Sequence, residues 1–251
     1  KTLEAEIAKK TEAIQRTHAG LMQTEKLAPL GRMSAGVAHE ITNPLTGVIT
    51  QARLMRGRFP DDSPEAEGLD QIIEQAERCS GIVKNLQTFA RATAPGKEAI
   101  DVNRIVQQTL TMVQNGEKFR DIKFNKNFAE AELITQGVTN QLQQIFINML
   151  INASDAMSEK GEITVATRKV SEDGKPYVEI EFTDTGTGIK DEDMPRIFEP
   201  FFTTKSDEHG TGLGLSVSHG IVKHLGGHIN VTSTLGKGTS FYVRLPYSEK
   251  A

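Results

Sequence analysis

The hydrophobic periodicity of this chain changes near residue 95, and this change constrains the fold more than any other feature of the sequence. Before it, apolar residues recur at steps of three and four, which predicts long helices. After it, shorter helical stretches alternate with runs of period two, which predicts strands. The stretch TAPGK at 93–97 separates the two regions, and its Pro and Gly end a helix. We therefore predict a domain boundary there.

Two long amphipathic helices are predicted before the boundary. The apolar stripe of the first comprises Val37, Ile41, Leu45, Val48, Ala52 and Met55. The stripe of the second, from Glu65 to about residue 92, comprises Leu69, Ile72, Ala76, Cys79, Val83, Leu86 and Ala90. The stretch RFPDDSP at 58–64 is predicted to be the loop of an antiparallel hairpin. Because one hairpin buries each stripe on one side only, we expect two copies to pair into a four-helix bundle, which makes the protein a homodimer.

Residues 1–27 show a half-apolar heptad seam, with Leu3, Ile7, Ile14 and Leu21 in a segment rich in Lys, Glu and Gln. We predict an N-terminal coiled-coil or signalling helix at 1–27, with a solvated amphipathic helix as the alternative. The hairpin then occupies 28–94 and a second domain occupies 98–248. Because the sequence starts at Lys1 rather than Met, we expect a piece of a longer protein with an upstream sensory domain.

Composition excludes several classes of function. The 251 residues carry a net charge of −4, so no basic excess exists to bind nucleic acid. We find no long apolar run and no signal peptide, so we expect a cytoplasmic location, with a membrane anchor upstream left open. Cys79 is the only cysteine, which excludes an internal disulfide, and its place on the apolar stripe predicts a packing role.

His39 lies in the middle of the first helical pattern but off its apolar stripe. It is two positions from both Val37 and Ile41, so it points about 200° away from them. Glu40 follows it directly. An ordinary surface histidine is the competing interpretation of this stretch alone.

The second domain alternates helices and mostly antiparallel strands, which predicts an α/β sandwich. We predict helices at 101–114, 139–157 and 213–225. We predict strands near 122–124, 133–135, 162–170, 177–183, 229–234 and 239–245. The stretch SEDGKP between the third and fourth strands is a hairpin signal.

Four segments of this domain carry groups suited to chemistry. Asn148 and Asn152 share a helix face, and their amide oxygens are suitable ligands for Mg²⁺. Asp184 ends a strand before Gly186 and Gly188, where a carboxylate could accept a hydrogen bond from an adenine amine. A turn built from Asp and Gly is the alternative.

The other two segments suit a phosphate group. GTGLGL at 210–215 opens a helix whose backbone donors form an anion site. It is neither a P-loop nor a dinucleotide fingerprint. Upstream, RIFEPFFTTK places Lys205 beside apolar residues, where it could pair with a phosphate group, and a hydrophobic plug with a solvated lysine is the alternative.

In order and spacing, HEITNPL, NMLINA, DTGTGI, FEPFFTTK and GTGLGL resemble the H, N, first glycine, F and second glycine boxes of two-component sensor histidine kinases. GKGTSF at 236–241 resembles their final glycine box, and the resemblance covers about 26–246. It implies a dimerisation and histidine-phosphotransfer hairpin followed by a Bergerat-type ATP-binding domain. The implied activity is autophosphorylation of a histidine by ATP and Mg²⁺, then transfer to an aspartate of a response regulator, with regulator phosphatase activity.

The resemblance also implies roles for individual residues. His39 would accept the phosphoryl group, Glu40 would orient and deprotonate it, and Asn43 would position water for dephosphorylation of the regulator. The implied nucleotide ligands are Asn148 and Asn152 through magnesium, Asp184 and Thr239 at adenine, Lys205 at phosphate, and Gly186, Gly188, Gly210, Thr211, Gly212, Leu213, Gly214 and Leu215 in the lid and phosphate cradle.

One position departs from the family pattern: Val138 stands where such kinases usually have Asp, and we expect a minor effect on its loop. Two alternatives stay open. The first is an ATPase or serine kinase of the same nucleotide fold with a purely structural hairpin. The second is a pseudokinase scaffold, which would not bind ATP.

Overall fold

The computed structural model describes residues 41–90, 97–205 and 210–249. The chain divides into two compact units, Lys1–Arg91 and Ala92–Ala251. The predicted coiled coil at 1–27, His39 and Glu40 lie outside the described residues. Within the described ranges, no helix combines the length and the apolar character needed to cross a membrane.

The first unit contains a helical hairpin. Helix α1 covers 41–56 and helix α2 covers Pro64–Ala90. The Ser63 hydroxyl accepts a hydrogen bond from the Ala66 N–H at 3.1 Å and caps α2. Pro64, predicted to lie in the loop, is therefore the first helical residue, a position where its missing N–H is not needed.

The two helices of the hairpin contact each other through small apolar residues and through oppositely charged side chains. Ala52, Ala66, Ala76 and Val83 are buried. Arg53 Nη2 lies 2.5 Å from Glu77 Oε1, and Arg56 Nε lies 2.8 Å from Asp70 Oδ2. These contacts join the two helices in antiparallel orientation, as predicted.

Several of the larger apolar residues of the hairpin stripes are exposed. Ile41, Val48, Met55 and Ile72 are 42%, 47%, 41% and 49% exposed. We call these four residues the hairpin apolar surface. A single hairpin therefore leaves part of each stripe exposed, in agreement with the expectation that one hairpin buries each stripe on one side only. Cys79 is exposed as well, so its predicted packing role is not met in one chain.

The second unit alternates strands and helices. Its strands are β1 Glu98–Asp101, β2 Asp121–Asn127, β3 Ile134–Gly137, β4 Lys160–Glu172, β5 Lys175–Asp184, β6 His228–Thr234 and β7 Gly238–Pro246. Its helices are α3 Val102–Val113, α4 Thr139–Ala156 and α5 Gly214–His224, with a 3₁₀ turn at Glu117–Phe119.

Five strands form one mixed sheet in the order β2-β4-β5-β7-β6. Strands β2 and β4 are parallel, and the other neighbours are antiparallel. Strands β4 and β5 are joined at Asp173 and Gly174, whose φ angles of 50° and 75° suit a two-residue hairpin turn. The prediction of a helical hairpin followed by an α/β sandwich is confirmed. The sequence did not predict β1, which pairs with β3 in a separate two-stranded sheet.

The helices cover one face of the large sheet and form the core with it. Along β5, Val178, Ile180 and Phe182 are at most 2% exposed and alternate with more polar neighbours. Phe146 of α4 is fully buried, and its ring centre lies 5.7 Å from that of Phe182. This layer fixes α4 against the sheet.

The opposite face of the sheet carries a charged network centred on Glu179, which is 1% exposed. Its carboxylate pairs with Arg168 of β4 on one side and with Arg244 Nε of β7, at 2.5 Å, on the other. Arg244 Nη1 also lies 3.0 Å from Glu172 Oε1. The buried carboxylate is therefore compensated by two guanidinium groups.

Candidate functional site

Helix α4 presents one polar face along its length. Gln144, Asn148, Asn152 and Asp155 follow one another at steps of four, four and three, and all are half-buried. Asn148 contacts the second glycine box, and Asn152 and Asp155 contact Lys205 of the F-box segment. Helix α4 is therefore the element around which the site is assembled.

Asn148 connects α4 to the start of α5. Its Nδ2 donates to the Gly214 carbonyl and to Ser218 Oγ, each at 3.1 Å. Its Oδ1 accepts from Gln144 Nε2 at 2.9 Å. These three bonds fix which end of the amide is oxygen and keep one oxygen lone pair for another ligand.

Helix α5 begins at Gly214, and Leu213 supplies no side-chain cap. Just before it, Gly212 has φ +63°, and a Cβ there would lie 2.4 Å from the Phe201 carbonyl carbon. Only glycine permits this close approach. The first N–H groups of α5 are therefore left for a ligand at its positive end.

The rest of the second glycine box is packed against its surroundings. Thr211 Oγ1 accepts a hydrogen bond from the Leu213 N–H at 3.4 Å, and Leu213 itself is buried. Leu215 is half-buried. A Cβ on Gly210 would lie 2.3 Å from Thr203 Oγ1, so this glycine too allows a close approach.

Lys205 reaches the polar face of α4 from the F-box segment. Its Nζ lies 2.5 Å from Asp155 Oδ2 and 3.4 Å from Asn152 Oδ1. The other carboxylate oxygen, Asp155 Oδ1, lies 3.2 Å from Lys118 Nζ. A cation therefore stands next to Asn152.

Asp184 at the end of β5 is 4% exposed. Burial raises the pKa of its carboxyl group, and hydrogen bonds from the N–H groups of Gly186, at 2.8 Å, and Thr239, at 3.2 Å, oppose that rise. Both bonds go to Oδ1, so Oδ2 is available to a ligand. The Thr239 hydroxyl is 2.9 Å from Ser233 Oγ, so that side chain already has a partner.

The first glycine box packs against the last turn of α4. A Cβ on Gly186 would lie 2.7 Å from the Ala156 carbonyl oxygen, and the Thr187 N–H donates to that oxygen at 3.0 Å. Gly188 has φ +72°, and a Cβ there would lie 2.3 Å from the Thr234 carbonyl oxygen. All four chemical segments of the second unit thus meet along α4.

The predicted residues of the hairpin belong to the other unit. Asn43 is exposed on α1. His39 and Glu40 lie outside the described residues. Their predicted roles stay predictions.

Sequence reasoning missed three residues that contact the site: Gln144, Asp155 and Lys118. The first two could have been found, because they lie one turn before Asn148 and one turn after Asn152 on the same helix face. Nothing in the sequence pairs Lys118 with Asp155. At the departure noted above, Val138 precedes α4 without a side-chain cap, and Thr139 Oγ1 instead donates to Glu98 Oε1 at 2.7 Å.

Two family models match the chain. Residues 30–95 match the His Kinase A (phospho-acceptor) domain. Residues 137–249 match the histidine kinase-, DNA gyrase B- and HSP90-like ATPase family. The two matches cover the hairpin and most of the second unit.

Known proteins of similar sequence and fold are sensor kinases. The sensor histidine kinase ZraS of Escherichia coli K12 is 37% identical over 229 residues, which cover 90% of this chain. The chain spans 47% of the length of ZraS. Full-length ShkA, solved in complex with AMPPNP, shares the fold with a TM-score of 0.70 and 24% identity, over 88% of this chain and 46% of ShkA. ThkA, solved in complex with the response regulator protein TrrA, does so with a TM-score of 0.64 and 24% identity, over 93% of this chain and 66% of ThkA.

Proposed function

This chain belongs to the two-component sensor histidine kinases, and from that premise we propose that it phosphorylates its own His39 with ATP and passes the phosphoryl group to an aspartate of a response regulator. The observation that carries the proposal is the convergence of four motif segments on one face of α4. Asn148 contacts Gly214, Asn152 lies near Lys205, and Ala156 contacts the first glycine box.

The adenine end of the nucleotide would lie at Asp184. Its free Oδ2 can accept a hydrogen bond from the exocyclic amine, while Oδ1 is held by two backbone donors. Thr239 acts here through its N–H, which orients the carboxylate. Gly186 keeps the backbone close to α4, Gly188 keeps it close to Thr234 at the end of β6, and both would leave room for a flat base.

The triphosphate would lie between the uncapped start of α5 and Lys205. The N–H groups at Gly214 and Leu215 suit an anion, and Gly210, Thr211, Gly212 and Leu213 form the rest of the cradle. Asn148 and Asn152 fit a magnesium ion, because each directs an amide oxygen that retains lone-pair capacity toward this region. When bound, the ion would neutralise charge on the phosphoryl group in transfer.

His39 would act as the nucleophile through Nε2. An unperturbed imidazole, with a pKa of about 6.5, is largely neutral at pH 7 and so able to act as a nucleophile. Glu40 would hold the Nδ1 proton and accept it as the N–P bond forms, while ADP leaves with the electrons of the broken P–O bond. Asn43, four residues after His39 in the sequence, would position water when the phosphorylated regulator is hydrolysed.

The hairpin would pair with a second copy. Four sizeable apolar side chains form the hairpin apolar surface, and each is more than 40% exposed in one chain. A row of this kind on two packed helices suits completion of a four-helix bundle. Because ATP and receiver proteins are cytoplasmic reactants, this portion would act in the cytoplasm.

Radiolabelled ATP tests the proposed reaction. The purified full chain, incubated with γ-³²P-ATP and Mg²⁺, should gain label that is labile in acid and stable in alkali, and a receiver domain added afterwards should remove it. His39→Gln should abolish labelling because the nucleophile is lost. The matched control His224→Gln, at an exposed histidine in α5, should be labelled normally.

Two outcomes would contradict this function. Acid-stable label that persists in His39→Gln would indicate a serine kinase with a structural hairpin. A chain that binds no ATP would indicate a scaffold.

A further inference from the structure

We propose that Asp155 is a positioning residue that holds the Lys205 ammonium group beside Asn152, at the phosphate end of the nucleotide site. The inference rests on the proposed function and identifies a residue that organises the same site. Asp155 would not touch the nucleotide. It would act through Lys205.

The carboxylate of Asp155 is held on both sides. Oδ2 lies 2.5 Å from Lys205 Nζ, and Oδ1 lies 3.2 Å from Lys118 Nζ. The Asp155 side chain is 15% exposed, so water screens these pairs only in part. With each oxygen engaged by a different lysine, the carboxylate has one preferred orientation.

Lys118 belongs to a part of the fold that carries none of the family motifs. It lies in the 3₁₀ turn Glu117–Phe119, and its carbonyl oxygen accepts a hydrogen bond from Ser154 Oγ at 2.9 Å. Ser154 directly precedes Asp155 and is fully buried. The carboxylate is therefore anchored to the frame of the second unit, independently of the segment that carries Lys205.

Lys205 gains its position from this anchor. Its side chain is 31% exposed and would otherwise sample many rotamers. The ion pair with Asp155 brings Nζ to 3.4 Å from Asn152 Oδ1, a long contact that a stronger ligand can replace. The lysine is thus held at the site before a phosphate group arrives, which lowers the entropy lost on binding.

A double-mutant cycle on the full chain tests this role. Binding of a fluorescent ATP analogue would be measured with Mg²⁺ for the unaltered chain, Asp155→Asn, Lys205→Met and the double variant. Asp155→Asn should raise Kd roughly tenfold, because Lys205 loses its anchor. In the Lys205→Met background the same change should alter Kd by less than about twofold.

Glu159→Gln is the matched control. Glu159 is paired at 3.9 Å with Lys118, but no ion pair joins it to Lys205. Its loss should leave Kd unchanged. Thermal unfolding should show a Tm change of less than about 2 °C for Asp155→Asn, since the pair is partly exposed.

Several results would overturn the inference. Tighter binding by Asp155→Asn would mean that the carboxylate competes with phosphate for Lys205. An equal loss in both backgrounds, or a large fall in Tm, would mean that Asp155 acts by another route or supports the fold. Unchanged affinity would overturn the inference alone, whereas no binding by the unaltered chain would overturn the nucleotide site as well.

Discussion

The two units of this chain differ in which apolar side chains they bury. The second unit encloses most of its large ones: Phe146, Leu142, Ile145 and Ile180 are fully buried in one chain. The hairpin encloses alanines and leaves the hairpin apolar surface open. The second unit therefore has a complete hydrophobic core within one chain, which we call the closed core. A single hairpin leaves part of its apolar residues exposed, which we call the open half-core. We therefore expect the second unit to be stable within a single chain and the stability of the hairpin to depend on pairing with a second copy.

The largest expected effect tests the closed core. Phe146→Ala should destabilise the second unit by about 3–5 kcal/mol, because it removes a fully buried ring that packs on Phe182. The matched change Ile72→Ala, at a side chain 49% exposed, should leave the transition of the second unit unchanged. Urea denaturation followed by near-UV signals of the second unit would measure both. A small effect of Phe146→Ala would contradict the conclusion that the second unit has a complete core within one chain.

The next effect tests the open half-core. Val48→Asp should weaken dimerisation roughly thirtyfold or more, because it places a charge in an apolar interface. Thr50→Asp lies about 200° around α1 and should leave the dimer intact. Analytical ultracentrifugation of the full chain at several concentrations would measure the dissociation constants. A monomeric unaltered chain, or a dimer indifferent to Val48→Asp, would mean that the hairpin apolar surface serves another purpose.

The smallest effect concerns the charge inside the closed core. Burial raises the pKa of Asp184 above its ordinary value of 3.8, so the folded state binds a proton at this carboxylate more tightly than the unfolded state does. Its contribution to stability is full below that value and is lost as pH rises through the raised native pKa. Asp184→Asn keeps an oxygen for Gly186 and Thr239 but cannot ionise. Its Tm should exceed that of the unaltered chain by a few degrees at pH 7.

The difference in Tm should shrink as pH falls toward 4 and vanish below it. The same variant should bind an ATP analogue weakly, because an amide group replaces the acceptor proposed for adenine. Tm measurements from pH 3.5 to pH 7 would check this. A difference that does not depend on pH would show that ionisation of Asp184 is not its cause.

The sequence predicted the elements whose signals are local. Apolar periodicity located α3, α4 and α5 to within one or two residues, and SEDGKP located the β4–β5 hairpin. Helical spacing placed Asn148 and Asn152 on one face. The glycines of the first box and Gly212 lie where the backbone approaches other parts of the chain closely, which requires that residue type, whereas their predicted contacts with a nucleotide stay predictions.

Features that depend on distant contacts could not be predicted. Strand β1 has only four residues, EAID, and is defined by pairing with β3 more than thirty residues later. Lys118 and Lys205 lie 37 and 50 residues from Asp155 in sequence, so nothing local joins them. Periodicity shows which side chains share a face but not how much of that face one chain covers, so the exposed fractions along the hairpin apolar surface could not be predicted.

The network around Glu179 has a consequence for how the sheet finds its alignment. Side chains alternate between faces, so a slip of β5 by one residue would turn this carboxylate toward the helices. Arg168 and Arg244 would then lose their contacts with Glu179, and its unpaired carboxylate would enter the layer that holds Phe182. Such ion pairs add little to the stability of the correct arrangement. Instead, they make misaligned sheets unfavourable. The correct alignment then places the motif residues at the strand ends close together.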